Sequence, residues 1–114
     1  MITLYGIKNC DTMKKTFNTL QTQGVDFVFH DFRKQGLDRA LLLDWEKQLG
    51  WQNLINKRGM TWRKLDDTIK NSIDRNSAIE IMLDNPAIIK RPLIDNHGKL
   101  SIGFNADELA QLES

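Results

Sequence analysis

The amino-acid sequence predicts an α/β fold: a small mixed β-sheet flanked by helices, with a helical insertion at about 37–86. Three observations carry this. Residues up to about 32 run apolar, amphipathic, apolar, the strand–helix–strand order that favours two parallel strands joined by a right-handed crossover. Residues 93–104 read as a hairpin with a helix start behind it. Between these ends the pattern is helical, and 114 residues is a size for one core, so 1–114 reads as a single domain.

The first strand is Ile2–Gly6, short and apolar. The helix after it runs over Asp11–Gln23, with Met13, Phe17 and Leu20 at i, i+4 and i+7 on one face. Gly24 ends it, because glycine accepts the left-handed conformation that closes a helix. Residues 27–32 form the second strand, apolar except for His30 and Asp31. Asp38 caps the next helix, which continues to Leu49 with Leu41, Leu42, Trp45 and Leu49 on its inner stripe, and Gly50 stops it. A less regular stretch through Trp51, Leu54, Ile55 and Trp62 follows.

Ser77-Ala78-Ile79-Glu80 has the spacing of a capping box, opening a short helix with Ile79, Met82 and Leu83 inward; Pro86 ends it. The hairpin pairs 93–94 with 99–104 across a turn at Asp95-Asn96-His97-Gly98. Leu100, Ile102 and Phe104 alternate with Lys99, Ser101 and Gly103 in its second arm. A last helix starts near Asn105, with Asp107 and Glu108 where the helix dipole favours negative charge. With the helical block removed, β-α-β followed by β-β-α is a thioredoxin-like core.

Composition narrows the function. Hydrophobic residues make up 40% and charged residues 27%, the balance of a folded domain in water. No stretch approaches the roughly 20 apolar residues of a membrane span. Sixteen basic against fifteen acidic side chains leave a net charge of +1, which argues against direct nucleic-acid binding. One cysteine makes no internal disulfide and, with two histidines, no cysteine-rich zinc site; neither a metal nor a tightly bound cofactor is expected. Met1 runs directly into Ile2-Thr3-Leu4-Tyr5 with no signal-peptide pattern, so a cytoplasmic chain with a reduced thiol is expected.

Cys10 is the sharpest chemical feature. It follows the first strand at the start of the first helix, where the unbonded amides of Asp11, Thr12 and Met13 would face its sulfur and lower its pKa. Lys8, Lys14 and Lys15 would add positive charge and Asp11 would oppose it; the alternative is an inert core cysteine. In Cys10-Asp11-Thr12-Met13 the fourth residue is not a second cysteine, so a sulfur adduct on Cys10 must leave to an outside thiol.

Lys57, Arg58, Arg63 and Lys64 form the densest basic cluster: either an anion site or, above all for Arg63 and Lys64, a solvated face. Arg58 stands apart, because Gly59 suggests a turn aiming it inward. Arg91-Pro92 precedes the hairpin; in a thioredoxin-like core this loop lies beside the start of the first helix, giving Cys10 a further cation. Pro92 is either a cis proline exposing backbone to a peptide substrate or a trans proline opening a strand. His30 reads as a core or edge-strand residue and His97 as a turn residue.

Tyr5-Gly6-Ile7-Lys8-Asn9-Cys10-Asp11-Thr12, Trp62-Arg63-Lys64-Leu65 and Asn85-Pro86-Ala87-Ile88-Ile89-Lys90-Arg91-Pro92-Leu93-Ile94 resemble the arsenate reductase (ArsC) family, in order and at compatible spacing over nearly the whole chain. Within the family the chain is most similar to the YffB-like branch, related to the Spx regulators. The resemblance implies a thioredoxin-like fold with a helical insertion and Cys10 as nucleophile. It also implies an oxyanion-fixing Arg91 before a cis Pro92, Arg58 near a further basic position, and Lys8, Asn9 and Thr12 around the sulfur.

Two departures matter. Arsenate reductases of the family carry another arginine where this chain has Gly103, and Spx regulators carry a Cys-x-x-Cys that Met13 removes. The resemblance thus implies a glutathione-dependent thiol reductase with glutathione as co-substrate or another small thiol or oxyanion as substrate; a monomer is expected. Its alternatives are an arsenate reductase coupled to glutathione and glutaredoxin, and a non-catalytic, Spx-like RNA polymerase-binding regulator.

Overall fold

The structure, a computed structural model, describes residues 2–113. It contains a mixed four-stranded sheet flanked by helices, in the order β2 (Phe27–Asp31), β1 (Ile2–Gly6), β3 (Leu93–Asn96), β4 (Lys99–Ile102). β1 (Ile2–Gly6) leads into α1 (Asp11–Gln23) and then β2 (Phe27–Asp31), which pairs parallel to β1 from Ile2↔Phe27 to Gly6↔Asp31. Gly24 closes α1 at φ +72°, its amide reaching the Leu20 and Gln21 carbonyls. β3 (Leu93–Asn96) pairs antiparallel to β1, and β4 (Lys99–Ile102) antiparallel to β3. The two turn residues between them, His97 and Gly98, both have positive φ, the requirement of a two-residue hairpin turn.

The chain divides into two compact units, one built from the chain up to Gln35 and from Arg91 onward, the other from Gly36–Lys90. The first unit holds the sheet. Ile2, Leu4 and Ile94 point from one sheet face into a core closed by Met13 and Leu20 of α1 and by Leu109 of the last helix, all 3% exposed or less. Side chains of period two on the strands and period 3.6 on α1 therefore meet in one apolar layer. Gly6 is part of the fit: a Cβ there would stand 2.6 Å from Met13 Sδ, so β1 and α1 approach closely only because that position is bare.

The second unit is helical: α3 (Arg39–Leu49), α4 (Trp51–Leu54), α5 (Met60–Arg63), α6 (Asp67–Asn71) and α7 (Arg75–Asp84), then a 3-10 turn at Pro86–Ile88. Leu42, Trp45, Leu54, Ala78, Ile79 and Met82 supply much of its buried surface. One bridge, Ile55↔Ile89, and the bonds Asn56 N–H to Ile88 O and Lys90 N–H to Leu54 O tie its irregular parts together.

Several boundaries differ from the sequence reading. Phe32 leaves the second strand and opens a one-turn helix, α2 (Phe32–Gln35), because the Asp31 side chain takes the amides of that turn. The α7 cap is Asp74: its carboxylate accepts the Ser77 amide while Ser77 Oγ accepts the Asp74 amide, so Ser77 is the third helical residue and not the cap. Asp38 stands at the α3 cap position without a side-chain bond to the helix. The second hairpin arm ends at Ile102, leaving Phe104 outside the strand and 38% exposed. Asn105 caps the final helix, α8 (Ala106–Ala110), accepting the Asp107 and Glu108 amides.

Candidate active site around Cys10

The site forms at the C-terminal end of β1. The chain leaves the sheet at Gly6, Ile7 is buried, Lys8 and Asn9 form an exposed turn, and Cys10 stands at the N-cap of α1 in extended backbone conformation. That conformation turns the cysteine side chain back over the first helical turn, whose amides have no partner within the helix. Cys10 is half-buried, and its carbonyl accepts the Lys14 amide, starting the helix ladder.

Burial pushes the Cys10 thiol up, and four favourable contributions outweigh it: the Met13 amide, a hydrogen bond from the Arg91 guanidinium, the Thr12 amide, and the Arg91 charge. The net effect holds the thiol below its ordinary value, because each donor is stronger toward a thiolate than toward a thiol. Arg91 reaches the sulfur because β3, which starts two residues later, lies directly beside β1 in the sheet. The Arg91–Pro92 peptide bond is cis, Pro92 is buried, and its carbonyl accepts the Gly103 amide at 2.9 Å. Gly103 has φ +86°, a conformation that side chains resist, and the turn it makes brings the end of β4 to Pro92.

The residues expected around the sulfur are placed unequally. Cys10, Thr12 and Arg91 come together, but Thr12 takes part through its amide. Lys8 and Asn9 are exposed in the preceding turn. Lys14 and Lys15, expected as nearby cations, are exposed along α1, and Lys15 Nζ lies 5.7 Å from the Phe104 ring centre. Arg91 is the positive group hydrogen-bonded to the sulfur.

Arg58 belongs to the second unit. It is exposed on a turn, and the expectation that Gly59 aims it inward does not hold: Asn56 Oδ1 takes the Arg58 amide at 3.1 Å, closing the turn with the guanidinium outward. Arg63 and Lys64 are exposed as well, the solvated face of that cluster, and Lys57 Nζ sits 5.4 Å from the Trp62 ring centre. His30 packs its ring 5.1 Å from Tyr5 on neighbouring strands, and His97 is a turn residue.

One residue of this region escaped the sequence reading. Asp31, 6% exposed, ends β2 opposite Gly6. Its Oδ2 accepts the Lys8 amide at 3.2 Å, and its Oδ1 accepts the Arg33 and Lys34 amides at 2.8 and 3.4 Å. Burial would raise this carboxyl; the Arg33, Lys8 and Lys34 amides, with the Lys34 charge, hold it below the usual carboxylate range. A carboxylate at the end of a strand that is apolar but for His30 was the one available signal.

Among the described residues no group of three histidine, cysteine or acidic side chains is arranged to hold a metal ion, and no helix is long and apolar enough to cross a membrane. The Thr12 and Met13 amides and the Arg91 guanidinium favour a negative sulfur, which suits the site to nucleophilic sulfur chemistry.

The ArsC family model matches residues 5–112. The solved structure of a YFFB protein superposes with a TM-score of 0.91 at 44% identity, covering 96% of each chain. That of an arsenate reductase (ArsC) related protein from Brucella melitensis gives a TM-score of 0.82 at 44% identity, covering 96% of this chain and 92% of the other. The global transcriptional regulator Spx of Streptococcus pyogenes is 28% identical over 96% of this chain and 82% of its own length.

Proposed function

The chain belongs to the ArsC family, and from that premise we propose that it is a small thiol reductase acting through Cys10 alone and regenerated by glutathione. The observation that carries this reading is a single cysteine at the N-cap of α1, where the Thr12 and Met13 amides and the Arg91 guanidinium favour its thiolate. Such a thiol is a nucleophile near neutral pH, and no second thiol stands in the chain to resolve its adduct.

In the proposed cycle the Cys10 thiolate attacks one sulfur of a glutathionylated substrate, R–S–S–G. The S–S bond breaks, a Cys10–S–S–G disulfide forms, and the substrate leaves as R–S⁻, which takes a proton from water. A second glutathione, as thiolate, attacks the glutathionyl sulfur; oxidised glutathione leaves and the Cys10 thiolate returns. The substrate disulfide has gained two electrons and two glutathionyl groups have been joined. The Thr12 and Met13 amides and Arg91 stabilise the charge on the sulfur each time it departs, and Arg91 receives a glutathione carboxylate between the two steps.

An arsenate reductase is less well supported. By the resemblance, Gly103 stands where arsenate reductases carry a further arginine, and its φ of +86° disfavours a side chain of any kind. Incubation with oxidised glutathione followed by intact-mass measurement tests the proposal. One glutathionyl adduct is expected, absent in Cys10→Ser and removed by reduced glutathione, with catalytic deglutathionylation of a model peptide. No adduct, or an adduct that glutathione leaves in place, would reject it; arsenate turnover coupled to glutaredoxin would move the assignment to arsenate reduction.

A further inference from the structure

We propose that Asp31 is the positioning residue of the Cys10 site: its buried carboxylate clasps the Lys8 amide and so fixes the loop that presents the sulfur to Thr12, Met13 and Arg91. This rests on the reading of Cys10 as the working nucleophile, and it assigns a role to a buried charge that the chemistry does not otherwise use.

β1 and β2 end side by side at Gly6 and Asp31. Beyond that pair the chain of β1 must turn toward α1, and backbone pairing with β2 stops. The Asp31 side chain extends the pairing by one more bond, taking the Lys8 amide across a separation of 23 residues. Lys8 and Asn9 are exposed, so apolar packing holds the loop at its two ends, Ile7 and Cys10, and not between them. The clasped amide lies two residues before Cys10, where small backbone movement changes how the sulfur meets the amides of Thr12 and Met13.

A carboxylate suits this post because both oxygens accept. Oδ2 serves the loop, while Oδ1 serves the Arg33 and Lys34 amides of α2 and is held by them. The Asp31 amide in turn donates to Gln35 Oε1 at 3.0 Å, so the residue is fixed from both sides. An asparagine has the same shape with one accepting atom, and it must present an NH2 group to one set of donors.

The sign of the effect separates positioning from plain electrostatics. As a nearby negative charge Asp31 would disfavour the thiolate, and removing the charge would lower the Cys10 pKa. As a clasp it favours the thiolate, and its loss raises that pKa. Asp31→Asn is therefore expected to shift the pH midpoint of Cys10 alkylation upward by about 0.5–1 unit, slowing alkylation at pH values below the midpoint about three- to tenfold. Hydrogen exchange at the Lys8 amide should rise in parallel.

Leu109→Ala, which weakens the same core without touching the clasp, should leave the midpoint in place. The second test needs no change at Asp31: Lys8→Pro deletes the clasped amide and Lys8→Ala keeps it, while both remove the ammonium group. Lys8 lies in a turn and is not at positive φ, and the proline variant alone is expected to raise the midpoint. A folded Asp31→Asn protein titrating at or below the wild-type midpoint, or proline and alanine variants that coincide, would overturn the assignment. Failure of deglutathionylation by the wild type rejects the proposed reaction and leaves this comparison standing.

Discussion

Replacing Arg91 by methionine should raise the pKa of Cys10 by about one unit. The guanidinium acts on the sulfur both by hydrogen bond and by charge. At contact distance two unit charges are worth about 4 kcal/mol at an effective dielectric of 20 and about 1 kcal/mol in water. Cys10 is half-buried, so about 1–2 kcal/mol applies, or roughly one pH unit at 1.36 kcal/mol per unit. The Thr12 and Met13 amides remain in Arg91→Met and still oppose the burial that pushes the thiol up. Arg91→Lys keeps the charge and loses the planar fork, and about half the shift is expected. The assay is the second-order rate of iodoacetamide alkylation followed across pH, with Cys10→Ser as blank. Coincident profiles for Arg91→Met and wild type would show that the guanidinium does not ionise this sulfur and would refute the reasoning.

Three further outcomes are expected. Gly6→Ala brings a methyl group to 2.6 Å from Met13 Sδ in a core where Met13 has no exposed surface, and should cost about 1–3 kcal/mol in urea denaturation; an unchanged midpoint would mean the two chains do not approach as described. Gly103→Ala meets no neighbour within 4 Å but inherits φ +86°, so a backbone cost of about 1–2 kcal/mol is expected, and wild-type stability would count against that conformation. Asp31 has a folded pKa below its unfolded value of about 3.9, so its contribution is complete above that value and fades as pH falls through the folded pKa. The stability gap between wild type and Asp31→Asn should be constant from neutral pH to about 5 and close in stronger acid; a gap that widens on acidification would reverse the sign.

Much of the sheet-bearing unit was legible because its signals are local. β1 is a short apolar run, α1 has a clean 3.6 period with glycine behind it, and both elements have the expected bounds. Phe32 misled because an apolar residue at a strand end and one at a helix start look alike, and the Asp31 contacts that decide the matter are tertiary as well as local. The short helices α4, α5 and α6 span four or five residues each, about one turn, too little for a periodic pattern to emerge.

At the site, the helix-start position of Cys10 could be read from the spacing after β1, and Arg91 from the neighbourhood that a thioredoxin-like topology imposes. Arg58 is exposed although Gly59 does mark a turn, because Asn56, three residues before that glycine, closes the turn on the Arg58 amide. Asp31 was invisible as a partner of the active-site loop because the bond to Lys8 exists only once two strands are aligned in register.

The tight meeting of Gly6 and Met13 has a bearing on how this sulfur site can change. A two-thiol version needs cysteine at position 13, and that single exchange would empty the space now taken by the thioether tip. A methyl group at position 6 lies where that tip would be missed. The route from one-thiol to two-thiol chemistry in this scaffold thus runs through a pair of sites, one in a strand and one in a helix, and either step taken alone crosses a less stable intermediate. Variants carrying both changes together are where a self-resolving descendant should be sought.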